Sequence, residues 1–149
     1  MNIMNKTNQD EEKKINTGES ILGSIKKLLG INECDDFDQD IIIHINSSIS
    51  ILKQLGVGPS KSFIVTSEKE TYTDYLGNDS EEISMVKQYL YCKVRKIFDP
   101  PTSGSVMSAI EEQIKELEFR LNIQVDPKET FKDSVSDFAK NFPEREDKD

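Results

Sequence analysis

The chain divides into apolar runs of helical period, separated by short polar punctuation. In "ESILGSIKKLLG" the positions Ile21, Leu22, Ile25, Leu28 and Leu29 share one helical face, and Gly30 supplies a stop. In "DDFDQDIIIHINSSISILKQLG" Phe37, Ile41, Ile45, Ile49, Leu52 and Leu55 step by three or four. The β-branched "IIIHI" alone would suit a strand, but helical spacing on both sides predicts a helix, capped by Asp35 or Asp36 and ended by Gly56. Gly56, Gly58 and Pro59 then predict a turn, and "FIVT" a short extended piece. Ser67 with Glu70 has the spacing of a capping box for a short helix through Tyr72, Tyr75 and Leu76, which Gly77 stops.

"SEEISMVKQYLYCKVRKIF" sets Ile83, Val86, Leu90, Val94 and Ile97 in one stripe, widened by Tyr89, Tyr91 and Phe98. Ser80 is the expected cap. Glu81 and Glu82 in the first turn, with Lys93, Arg95 and Lys96 near the end, complement the helix dipole. The stripe halts at Phe98-Asp99-Pro100-Pro101. Each proline disfavours the helical region for the residue before it and lacks an N–H donor. Thr102, Ser103 or Ser105 can cap a further helix, in which Val106, Ile110, Ile114, Leu117 and Leu121 repeat the pattern. Two long amphipathic helices around a stiff corner make an αα-hairpin. Glu111–Lys115 and Glu116–Arg120 are favourable i,i+4 pairs on the surface of the second helix.

Composition sharpens this all-α reading. The 149 residues fit one domain, but 35% hydrophobic against 32% charged leaves little for the ends to bury. We expect a flexible N-terminal arm (1–18), a helical core domain (19–124) and a charged C-terminal tail (125–149). The net charge of −9 disfavours binding to nucleic acid or to anionic membrane. No apolar run approaches membrane-spanning length, and the first 20 residues lack the apolar stretch of a secretory signal. Synthesis in the cytoplasm is therefore expected.

Candidate chemistry is sparse, and no catalytic, cofactor or metal residues are assigned. His44 stands alone among isoleucines, with Asp40 and Ser48 one turn away, and reads as a half-buried side chain rather than a general base. Cys34 and Cys92 form no metal-binding spacing. The acidic neighbours Glu33, Asp35 and Asp36 disfavour a thiolate at Cys34 and so a Cys34–His44 nucleophile pair. "ECDDFDQD" lacks the ligand register and glycine of a calcium loop, and "GVGP" lacks the Lys-Ser/Thr of a phosphate loop. The positive charges of "VRKIF" suit a helix end, with contact to an acidic partner as the alternative.

In the tail, Phe131, Val135, Phe138 and Phe142 recur at i, i+4, i+7 and i+11, and Pro143 closes the segment. Such a stripe suits a satellite helix folded back on its own domain, or a segment that fits a groove on another subunit.

One resemblance covers residues 20–124. Lys87, Tyr89, Tyr91, Lys93, Val94 and Arg95, then Phe98 to Pro101, then Glu116 to Asn122, resemble the head–tail connector (adaptor, or head-completion) proteins of tailed bacteriophages. "SILGSIKKLLGI" and "INSSISILKQLGVGP" look similar to the same family. The resemblance implies a helical structural protein without enzymatic activity, assembled as a ring of about twelve copies. Such a ring sits beneath the portal in the virion, receives a tail-completion or stopper protein, and lets DNA pass without specific binding. It also implies that the segment after the last core helix reaches the portal, which makes Phe131, Val135, Phe138 and Phe142 candidate docking anchors. The competing reading is a small helical DNA-binding regulator, or a packaging protein like a terminase small subunit. That reading calls for a basic recognition helix, which an acidic chain does not supply.

Overall fold

A computed structural model describes residues 18–140, with side chains through Val125. Among these residues there are five helices and no strand: α1 (Ile21–Leu29), α2 (Asp38–Gln54), α3 (Tyr72–Leu76), α4 (Ser80–Phe98) and α5 (Gly104–Lys140). The expected all-α bundle with a long hairpin is what forms.

α4 is the axis of the bundle. Its Tyr89 and Cys92 face α5, while Val86, Leu90 and Val94 form a second buried face. At ~100° per residue the two faces are separated by about 130°, so α5 lies on one side of α4, and α1 and α2 pack on the other. The core joins Ile21, Leu22 and Ile25 of α1, Ile41, Ile45 and Leu52 of α2, and Ile114, Leu117 and Leu121 of α5. Burying one such aliphatic side chain is worth about 1.5–3 kcal/mol. The "IIIHI" run is helical, as the flanking spacing requires.

Several caps differ from expectation. Phe37, not Asp35 or Asp36, occupies the cap position of α2 and provides no side-chain bond. Asp35 is instead drawn to Lys26 at 2.6 Å. The capping box of α3 is Thr71 with Asp74, each side chain bonding the other's backbone N–H. Ser67 and Glu70 close a turn ahead of it, where the Glu70 carboxylate accepts from the backbone of Thr66 and Ser67. α4 is capped by Asp79 rather than Ser80, through bonds from the N–H groups of Glu81 and Glu82. α5 begins as the Ser103 carbonyl accepts from Met107 at 3.0 Å.

Residues 63–66 form no ladder. Their place in the fold is set by Asn46 of α2, whose amide donates to the Val65 carbonyl and accepts from the Val65 N–H, both at 2.8 Å. One side chain thus satisfies both backbone groups of a buried residue, as a neighbouring strand would. A single antiparallel bridge, Ser20 to Thr71, ties the start of α1 to the start of α3. Beneath it the hydroxyls of Ser24 and Tyr72 meet at 2.7 Å.

The turn after α2 needs its glycine. Gly58 has φ +90°, and a Cβ there would lie 2.4 Å from the Tyr75 ring. Gly58→Ala is expected to destabilise the fold by about 1–3 kcal/mol, measured by urea denaturation. An unchanged midpoint would mean that the turn can reshape freely.

α5 is longer than expected. Its backbone continues past residue 124 through Pro127, which offers no N–H to the carbonyl of Ile123, and on to Lys140. Phe131, Val135 and Phe138 fall on this stretch, their side chains beyond the described ones. Phe142 and residues 1–17 lie outside the described residues altogether.

Candidate functional site

His44 is half-buried on α2, and Ser48 gives its hydroxyl to the His44 backbone carbonyl at 2.8 Å rather than to the ring. Cys34 sits in the α1–α2 connection. Cys92 is buried against α5, where its thiol approaches Gln113 at 3.6 Å, and burial pushes that thiol above its ordinary pKa. Thiol labelling of the native chain should therefore modify Cys34 first, with Cys92 reacting only after unfolding. Equal rates by mass spectrometry would contradict the buried position of Cys92. Among the described residues, no group of three His, Cys, Asp or Glu side chains could hold a metal ion. Nor is any described helix long and apolar enough to cross a membrane.

What the sequence builds instead is a braced corner. The corner residues Phe98, Asp99, Pro100 and Pro101 stand together at one end of the bundle, where Asp99 closes α4 with a bond to the Arg95 carbonyl. Phe98 meets Phe37 edge-to-face, ring centres 5.4 Å apart. The helix before the corner and the helix after it are fastened to each other by two side-chain pairs, one of them between motif residues. Tyr89 donates to Glu118 at 3.0 Å, and Lys96 pairs with Glu111 at 2.9 Å. Arg95 bonds the Tyr91 hydroxyl one turn away. Glu116–Arg120 forms as expected, whereas Glu111 reaches across the hairpin in addition to lying near Lys115. Its bond from Lys96 holds the Glu111 carboxyl below the usual range.

The corner also exposes apolar surface that its pattern had assigned to the core. Ile97 is 59% and Val106 43% exposed, beside the half-exposed Phe37 and the exposed Pro100. The hairpin outruns the helices that cover it, so the stripe continues past its partners. Periodicity marks a face as apolar but not where the cover stops.

A second cluster is electrostatic. The Lys26 side chain is fully buried, and its ammonium meets Asp35 at 2.6 Å, Asp38 at 2.8 Å and Glu68 at 3.6 Å. Hydrogen bonds to Asp35 and Asp38 hold this lysine protonated well above the ordinary lysine range, against the opposing effect of burial. Three segments are joined at this ammonium: α1, the entry to α2, and the loop before α3. Sequence alone placed the acidic cluster at a helix start and did not link it to Lys26. The available hint was that Lys26 lies one turn from both Leu22 and Leu29, at the edge of the apolar stripe of α1.

No curated protein and no solved structure matches the chain. The sequence model of one family, described as Phage connector protein, matches residues 21–128. That span runs from the first residue of α1, through the braced corner, into the extended part of α5. The chain belongs to the phage connector family.

Proposed function

We propose that this protein is a ring-forming structural subunit at the head–tail junction of the virion, seated beneath the portal. About twelve copies surround a channel through which DNA passes. One side of the ring holds the portal and the other receives a tail-completion or stopper protein. The family match supports the connector role. The observation that carries the finer reading is α5, whose backbone runs through residues 126–140, about 22 Å at 1.5 Å per residue, beyond the side chains packed on α4. A helix of that reach can present Phe131, Val135 and Phe138, with Phe142 following, to a groove on the portal. The net charge of −9 supports free passage of DNA, because like charges repel along the channel wall.

The test pairs two measurements on the full chain. Co-sedimentation with portal rings should show stable binding, while a gel shift with duplex DNA at physiological salt should show none. Failure to bind portal overturns the proposal, and tight DNA binding favours the regulator or terminase-like alternative.

A further inference from the structure

We propose that the outward face of α5 in one copy seats in a groove beside α2 of a second copy. The inference rests on the connector reading only in taking the neighbour to be another copy of this chain. Ile114, Leu117 and Leu121 turn α5 toward the core. The opposite face carries Glu112, Glu116, Phe119 and Ile123, spaced i, i+4, i+7 and i+11. All four are exposed, Phe119 by 66% and Ile123 by 47%. A phenylalanine and an isoleucine one turn apart, both turned away from their own core, form the spacing of a helix that enters a groove.

A groove of matching chemistry lies on the same molecule. It has a volume of about 430 Å³ and lies between α2 and residues 57–64, with Ile49, Phe63 and Ile64 as apolar lining and Lys53 and Lys61 as its charged residues. Its loop wall is preformed, because Asn46 clamps Val65 through two hydrogen bonds. Ile64 is 60% exposed at its edge. Two lysines stand out in a chain whose net charge is −9, and they oppose the two glutamates of the α5 stripe. Lys115 and Arg120 flank that stripe, and Arg120 pairs with Glu116 at 2.6 Å, so Glu116 serves Arg120 as well as the groove lysines. The chain cannot fill its own groove with this face. Leu117, Leu121 and the Tyr89–Glu118 bond hold α5 against α4, with the stripe directed away. Stripe and groove share no residue, so each copy is able to offer its stripe to one neighbour and its groove to another, the heterologous contact that a ring requires.

Two apolar side chains in one groove make a small contact beside the roughly 1,200–2,000 Å² of a stable interface. Free copies therefore associate weakly, and a shared partner that holds them side by side strengthens the contact. Cross-linking tests this regardless of affinity. Full-length chains carrying Cys34→Ser and either Phe119→Cys or Ile64→Cys are mixed at high concentration, with and without portal rings, and treated with a short bismaleimide. The expected product is the mixed 119–64 dimer, well above a control that pairs Phe119→Cys with Lys27→Cys. Adding Glu112→Lys and Glu116→Lys to the Phe119→Cys chain should lower the yield about tenfold. Adding Lys53→Glu and Lys61→Glu to its partner should restore it. A yield no higher than the control in both conditions, or no rescue by the paired reversal, overturns the proposal. If the 119–64 product forms but the chain never binds portal, the interface stands and the connector reading fails.

Discussion

Asp35→Asn combined with Asp38→Asn is expected to destabilise the protein by about 3 kcal/mol, whereas Lys26→Met should cost far less. The asymmetry follows from where the charges lie. The Lys26 side chain has no solvent exposure, while those of Asp35 and Glu68 are 87% and 60% exposed. Removing the two close carboxylates strands an ammonium beneath the surface, with only Glu68 at 3.6 Å to compensate it. Removing the ammonium leaves Asp35 and Glu68 in water and only the Asp38 carboxylate, 22% exposed, without its partner, and the methionine fills the apolar channel of the lysine stem. The figure is at the low end for a broken buried pair because two of the three partners are near water. Chemical denaturation of both variants checks it, and equal losses would contradict the picture. The pH dependence has a defined sign. Because the folded pKa of Lys26 is raised, its contribution is complete below the ordinary value of 10.5 and is lost only as pH climbs through the raised one. Glu70 acts oppositely. Burial pushes its carboxyl up, but bonds from Ser67 and Thr66 prevail and hold it below its ordinary 4.5. Its contribution is therefore present above that value and lost as pH falls through the depressed one.

Ending the chain after Val125 should abolish portal binding and leave a folded core. Ile114, Leu117 and Leu121 all precede the cut, as do the Tyr89–Glu118 and Lys96–Glu111 ties. The lost residues include Phe131, Val135, Phe138 and Phe142. Circular dichroism should retain a cooperative helical transition, and a pull-down with portal should fall to background. Intermediate variants locate the effect. Phe131→Ala with Phe138→Ala should weaken binding by at least tenfold if these rings are central anchors. Undiminished binding by the truncated chain would remove the tail from the interface and shift attention to the exposed corner around Ile97 and Val106.

The helices were legible because each has to bury a stripe, and stripes at i, i+3 and i+4 survive in the sequence whatever their partner. The corner was legible for a different reason: two adjacent prolines remove two N–H donors and disfavour the helical region for the residue before each, where α5 passes the lone Pro127. Caps were less so. Ser80 and Asp79 are adjacent and both competent, as are the Ser67–Glu70 and Thr71–Asp74 pairs, and the outcome depends on where the backbone turns. Asp35 left the cap of α2 for an ammonium nine positions earlier, a contact that only the folded path of α1 creates. Ile97 and Val106 obeyed the stripe but lie beyond its cover. The outward pair Phe119 and Ile123 was hidden for a related reason. Against the strong Ile114–Leu117–Leu121 stripe, two apolar residues on the far face add little to the period. The resemblance carried the function further than any side-chain chemistry, because the motif residues brace a hairpin rather than surround a reactant.

The most direct measurement is electron cryo-microscopy of the portal vertex in particles assembled with this chain. The account predicts a ring of repeated helical hairpins beneath the portal, with α5 reaching up to it and DNA density on the axis. Particles whose heads and tails join with no density for this chain at that position would contradict it.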